Sequence, residues 1–324
     1  METKTTHIGG QAVIEGVMMR GRGCYTLAVR QPDKEIFSET ISLNPITKRI
    51  PILKLPILRG VVSFVDSMYL GTKILMKAAE VAGLDDDSEG EQSKFDKFLT
   101  DKFGDKVYDV VIWFSVVVAL FMSVGLFMVL PTFLSGVLAK LLKNDSYLIL
   151  SGMESVIKVI IFIVYLSLVS KMEDIARVFM YHGAEHKTIN CFEHGEDLIV
   201  ENVKKHSRFH KRCGTSFLFI VLVISILVFT MVRVETLGMR ILSRIILVPI
   251  VAGISYEIIQ WAGRHDNAFV NLISKPGMAL QKLTTKEPDD SQIEIAIAAM
   301  KGVLEYEKEK ISDANNTKPA DAQQ

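Results

Sequence analysis

The sequence predicts a mainly α membrane protein, with about four transmembrane helices, a small N-terminal antiparallel β subdomain and cytosolic amphipathic helices. Three observations predict it. Residues 110–130, VVIWFSVVVALFMSVGLFMVL, run for 21 residues without a charge, and a bilayer core needs about 20 apolar helical residues. The chain is 49% hydrophobic with a mean hydropathy of +0.29, too apolar for an ordinary soluble domain. Its 23% charged residues leave room for aqueous parts, and a net charge of zero excludes a whole-molecule electrostatic footprint for nucleic acid.

From the N-terminus, METKTTHIGG lacks the apolar core of a signal peptide, so the first residues are expected to be retained and cytosolic. Residues 1–50 form the β subdomain. CYTLAVR at 24–30 and EIFSETISL at 35–43 are rich in β-branched and aromatic residues around the turn-forming QPDK, the pattern of a hairpin. GGQAVIEGVMM at 9–19 adds a third strand. Its neighbours Glu15, Arg20 and Arg22 are either solvated charges on a glycine-rich strand edge, or partners for loop 171–215 or for an anionic ligand. Residues 51–107 hold an amphipathic helix over 57–82 and an acidic, mobile linker, LDDDSEGEQSKFDKF at 84–98. The helix either lies in the headgroup layer or packs on the protein's own sheet. A fifth span there would invert the charge pattern of every later loop.

The first transmembrane hairpin falls within 108–170 and the second within 216–262, with spans at 110–130, 148–170, 216–232 and 241–260. In the second span Glu154 and Lys158 stand four residues apart and are expected to pair. Loop 171–215 carries Lys171, Arg177, Lys187, Lys204, Lys205, Arg208, Lys211 and Arg212, whereas loops 131–147 and 233–240 carry two basic residues each. The positive-inside bias therefore puts the long loop and both termini in the cytoplasm, the protein lying in the cytoplasmic membrane. Three widely spaced cysteines, Cys24, Cys191 and Cys213, agree with a reducing compartment. Residues 263–324 supply a last amphipathic helix at 289–311, capped by DDSQ and apolar along Ile293, Ile297, Met300 and Leu304. A tail without folding content is expected beyond about 312.

Chemistry concentrates in 171–215. Residues 180–197, MYHGAEHKTINCFEHGED, hold three of the seven histidines, four carboxylates and one cysteine. On a helix His182 and His186 are one turn apart on one face, the spacing that offers two imidazoles to one metal ion, with Glu185 beside them. The order His182-x-x-Glu185-His186 is also that of the inverted zinc-peptidase signature. That signature needs a distal carboxylate, and Glu193 on a straight helix stands about 16 Å along the axis from His182. HSRFHKRCGT at 206–215 offers His210 and Cys213 instead, returned to the same membrane surface by chain connectivity, with Lys211 and Arg212 favouring the thiolate. The expected site is a divalent metal, zinc by ligand type, on His182, His186, His210 and Cys213, with Glu185 as general base. In the alternative reading the same cluster is structural, in a non-enzymatic membrane scaffold or assembly factor.

GGQAVIEGVMMRG, LRGVVSF, YHGAEHKTINCFE, HKRCGTSF and PGMALQKLTTKEPDDSQIEIAIAAM together make the chain resemble the YqhQ family from about residue 8 to 305. This is a bacterial group of multipass membrane proteins described as predicted metal-dependent enzymes. The resemblance implies a metal site among His182, Glu185, His186, His210 and Cys213. The expected partners are the lipid bilayer and a membrane-linked substrate or protein, with no nucleic acid. The reaction that fits is metal-dependent hydrolysis of a membrane-associated substrate.

Overall fold

The computed structural model describes residues 6–43, 55–84, 107–143, 146–232, 234, 236–262 and 267–316. The acidic linker and the end of the tail lie outside these residues. The described chain is mainly helical and falls into two compact units, one from 1–84, 169–220 and 252–324, the other from 85–168 and 221–251.

The first unit is built on a four-stranded antiparallel meander, β1 (Gly9–Val13), β2 (Gly16–Arg20), β3 (Cys24–Arg30) and β4 (Ile36–Ser42), in that order. The segment 9–19 is therefore two strands, not one. Ile14 and Glu15 form a two-residue turn with Glu15 at φ 50°, and without Gly or Asn this pair carries no hairpin signal. Glu15 holds Arg177 through both carboxylate oxygens and accepts from the Tyr181 hydroxyl at 3.2 Å. β3 and β4 pair across the QPDK turn, Cys24 opposite Ser42 and Arg30 opposite Ile36.

Both faces of β2 and β3 are covered, so their residues read as continuous apolar runs rather than an alternation. On one face Val17, Met19, Cys24 and Ala28 pack against α5 (Glu173–Glu193) and α10 (Asp290–Asn316), through Tyr181, Ala184, Ile189, Ile293, Ala296, Met300 and Val303. On the other, Val13, Met18, Tyr25, Leu27 and Val29 receive Ile74 and Ala78 of α1 (Leu58–Val81). The second half of α1 thus packs on the sheet, while Phe64, Val65, Met68 and Tyr69 stay exposed. Helix α10 opens on a capping box. Asp289 Oδ1 accepts from Gln292 N at 2.9 Å and Gln292 Oε1 accepts from Asp289 N at 3.0 Å. Before it runs α9 (Ala268–Thr284), capped by Asn267 and carrying Pro276 inside it. The pattern does not announce this helix, because Ser-Lys-Pro-Gly at 274–277 is turn chemistry.

In the second unit α2 (Val107–Val124) continues through a π-helical turn at Gly125–Val129 into α3 (Leu130–Leu141), followed by α4 (Tyr147–Val169). The turn falls just before Pro131, which lacks an amide to donate. After α5 come a short α6 (Val200–Val203), α7 (Thr215–Met231) and α8 (Leu237–Ala262). Among the described residues three helices are long and apolar enough to cross a membrane, Phe114–Leu141, Tyr147–Val169 and Gly238–Ala262. The expected span at 216–232 falls on a shorter apolar helix. Helix α7 is apolar but only 17 residues, about 25 Å at 1.5 Å per residue against a core of about 30 Å. Glu154 does not pair with Lys158. It takes a bidentate bond from buried Arg244, at 2.5 and 2.7 Å, while Lys158 lies over the Phe229 ring.

Candidate metal centre

Helix α5 carries Glu173 and Asp174 in its first turn, where carboxylates complement the helix dipole. Its register then turns His182, Glu185, His186 and Ile189 toward a cavity of about 340 Å³. The cavity is also lined by Gly9 to Ala12 of β1, His210 and the 212–215 segment. Two glycines set this packing. A Cβ on Gly183 would collide with the Lys286 carbonyl, so the 284–288 strap runs directly over the helix backbone. A Cβ on Gly10 would stand 2.8 Å from the Glu185 carboxyl. Gly183→Ala is expected to cost about 1–3 kcal/mol by overpacking backbone against backbone, read as a lowered melting temperature of the detergent-purified protein.

The returning segment 204–213 is held by its backbone carbonyls. His186 Nδ1 donates to Arg208 O at 2.6 Å, Lys187 Nζ to Lys204 O at 3.0 Å, and Asn190 Nδ2 to Ser207 O and Phe209 O at 2.7 and 3.1 Å. Buried Gln281 of α9 then mimics a strand partner. Its Oε1 accepts from His210 N at 2.9 Å and its Nε2 donates to His210 O at 2.8 Å. Gln281→Leu is expected to cost about 1–3 kcal/mol, because it orphans the buried His210 amide and leaves the His210 carbonyl with only the longer bond from Cys213 N, at 3.3 Å. Chemical denaturation in detergent measures it.

His182 Nδ1 donates to the Thr284 carbonyl at 2.8 Å. A carbonyl only accepts, so both His182 and His186 carry their proton on Nδ1 and turn the Nε2 lone pair elsewhere. His182 Nε2 lies 3.2 Å from Cys213 Sγ. The ring centroids of His182 and His186 are 4.4 Å apart. One ligand atom from each of His182, His186 and Cys213 falls within 4.8 Å of the other two. Tetrahedral zinc with bonds of about 2.0–2.3 Å needs edges of roughly 3.3–3.8 Å, so movements of about 1 Å would complete the grip. Glu185 is buried beside them, its Oε2 3.9 Å from His182 Nε2.

His210 stands apart from this triad. Its ring is 5.8 Å from that of His186, and its Nε2 faces Glu193 Oε2 at 3.4 Å. Glu193 also receives Thr6 N and Oγ1 at 3.1 and 3.0 Å, and pairs with Arg212. The carboxylate that helix geometry set too far from His182 for ligation is thus the anchor of the returning segment.

Burial lowers the basicity of His182 and, with His182 and His210 nearby, holds His186 well below its ordinary value, leaving both imidazoles neutral. Burial pushes the Glu185 carboxyl up to about 8, the Gly10 backbone opposing it. The Cys213 thiol is pushed up to about 11 by burial and then by Glu185, against hydrogen bonds from Thr215. Arg212, expected to favour the thiolate, is engaged by Glu193 instead. Burial raises Glu193 too, but bonds from His210 and Thr6 and the charge of Arg212 outweigh it and bring it to about 2. Gly10, Gln281, Thr284 and Thr6 belong to this site through contacts between distant parts of the chain, and no spacing announces them.

The chain belongs to the family described as protein of unknown function DUF1385, whose sequence pattern matches residues 55–306. It is similar to the uncharacterized protein YqhQ of Bacillus subtilis (strain 168), at 36% identity over 302 residues, 92% of each chain. No solved structure matches it.

Proposed function

We propose that this is a protein of the cytoplasmic membrane, both termini cytoplasmic, that binds a zinc-class divalent ion through His182, His186 and Cys213 and hydrolyses a membrane-associated substrate with Glu185 as general base. One observation carries the reading. Both histidines spend Nδ1 on backbone carbonyls, which keeps each Nε2 lone pair available, and a ligand atom of each lies within 4.8 Å of the other and of a thiol. This outer-shell arrangement is the common one for imidazole ligands. The donors, two imidazoles and a sulfur, suit zinc and its first-row neighbours rather than magnesium or calcium. His210, expected as a further ligand, is held by Glu193 instead.

When bound, such an ion supplies Lewis acidity to a carbonyl or phosphoryl group. Glu185 does the proton work. A cation held by the triad would favour the ionised form that burial alone disfavours, and that carboxylate, walled by Gly10, would accept a proton from the attacking water and return it to the leaving group. Chain connectivity supports a membrane-associated substrate, since α4 ends at Val169 four residues before α5, and α7 begins two residues after Cys213.

The scaffold reading draws on one observation as well. The Cys213 thiol can donate to His182 Nε2, which closes the network without an ion. Elemental analysis separates the two. Cys213→Ser is expected to lower zinc content by about one equivalent per chain relative to wild type. Unchanged content supports the scaffold. In cells Glu185→Gln then abolishes an enzyme's function and leaves a scaffold's intact.

A further inference from the structure

The far end of α5 gathers a second set of ligand-type groups that the first centre does not use. Gly195 adopts φ 74°, and the helix closes with Glu196 N donating to Cys191 O at 3.2 Å and Gly195 N to Phe192 O at 3.0 Å. This paired pattern is a Schellman motif, and it folds the residue after the glycine back over the last turn. Glu196 is therefore returned to Cys191 by local geometry alone. The single-turn α6 then reverses the chain, with His206 N bonded to Val203 O at 3.1 Å, and brings His206 to the same place. One atom each from Cys191, Glu196 and His206 lies within 4.8 Å of the other two.

Three features mark this as a cation site rather than a packed corner. His206 Nε2 is buried and makes no hydrogen bond, its neighbour being Glu196 Oε1 at 3.4 Å. A buried imidazole nitrogen without a partner is costly unless something binds it. The Cys191 sulfur faces the carbonyl oxygens of Glu196 and Asp197 at 4.0 and 3.6 Å, so the field there is negative and suits a cation. A further imidazole is adjacent. The His194 ring centroid is 4.9 Å from that of His206, and its Nδ1 is held by Asn190 O at 2.7 Å, which leaves Nε2 to ligate.

We infer that Cys191, Glu196 and His206 form a second and structural metal site for zinc or another late first-row divalent ion, with the His194 imidazole adjacent. Sulfur and imidazole donors with one carboxylate select that class over magnesium or calcium. The ion would staple the α5–α6 turn, and so the stem from which the His210–Cys213 segment springs. The inference is independent of the reading of the first centre.

The test uses full-length protein purified in detergent and saturated with zinc, then freed of loose metal. Cys191→Ser/His206→Ala is expected to lose about one zinc equivalent per chain, while Cys213→Ser/His182→Ala keeps that equivalent. The first variant retaining wild-type zinc content overturns the site, whatever the second one does. Should the first variant fail to fold, Glu196→Ala at an exposed position replaces it. Chelator competition is then expected to show zinc bound more weakly by at least about tenfold, the loss that even an outer-shell partner brings. Unchanged affinity overturns the proposal equally.

Discussion

Glu154→Ala is expected to destabilise the protein by about 3–5 kcal/mol, measured by denaturant unfolding in mild detergent. Glu154 and Arg244 are both buried within helices long and apolar enough to span a bilayer, and their bidentate bond is completed by Thr132. Thr132 Oγ1 accepts from Arg244 and donates its own hydrogen bond to the Met128 carbonyl at 2.7 Å. Removing the carboxylate leaves the guanidinium uncompensated beside a second buried cation, Lys158. The pair itself is another matter. Glu154→Leu/Arg244→Met removes both charges, and a well-packed apolar replacement of a buried pair is near neutral. The double variant is therefore expected to recover most of the loss. A single-variant cost below about 1 kcal/mol, the worth of an exposed pair, would mean that water reaches these groups.

His182→Ala/His186→Ala is expected to abolish metal binding at the first centre, lowering zinc content by about one equivalent per chain while the protein still folds. A single His182→Ala should weaken affinity by more than about 100-fold, beyond the loss typical of an outer-shell change. The reason is geometric. His182 is the vertex nearest Cys213, and no neighbouring imidazole replaces it, because His210 is committed to Glu193. Removing either histidine also frees a carbonyl, Thr284 O or Arg208 O. Competition with a chromophoric chelator reads the affinity, and circular dichroism reports whether the fold survives. Unaltered zinc content would transfer the cluster to the scaffold reading.

How far each feature was legible depends on the range of the interaction behind it. The Asp289–Gln292 box, the β3–β4 hairpin and the shared face of His182, Glu185 and His186 follow from neighbours within a turn or a strand pair. There the 3.6 and 2.0 periods and local hydrogen bonding are enough. The apolar helices follow from composition, since bilayer thickness fixes a length. Misreadings arose where a local rule was outweighed. Ile14-Glu15 turns without turn residues because both flanking strands are held in the sheet. Glu154 prefers Arg244, 90 residues away, because a bidentate guanidinium satisfies a buried carboxylate better than a helical neighbour does.

Local pattern and composition alone therefore settle most of the helices, though not α9, the long apolar runs suited to lipid, and that two imidazoles and a carboxyl share one helix face. Folding in three dimensions determines the rest: that Cys213 meets His182, that His210 turns to Glu193, and that Gly10, Gln281 and the Thr284 carbonyl enclose the group. Thr6 and Glu193 are 187 residues apart and His210 and Gln281 71, separations at which no periodicity survives. Such contacts exist because buried donors and acceptors must all find partners at once, a condition on the whole packed chain rather than on any stretch of it.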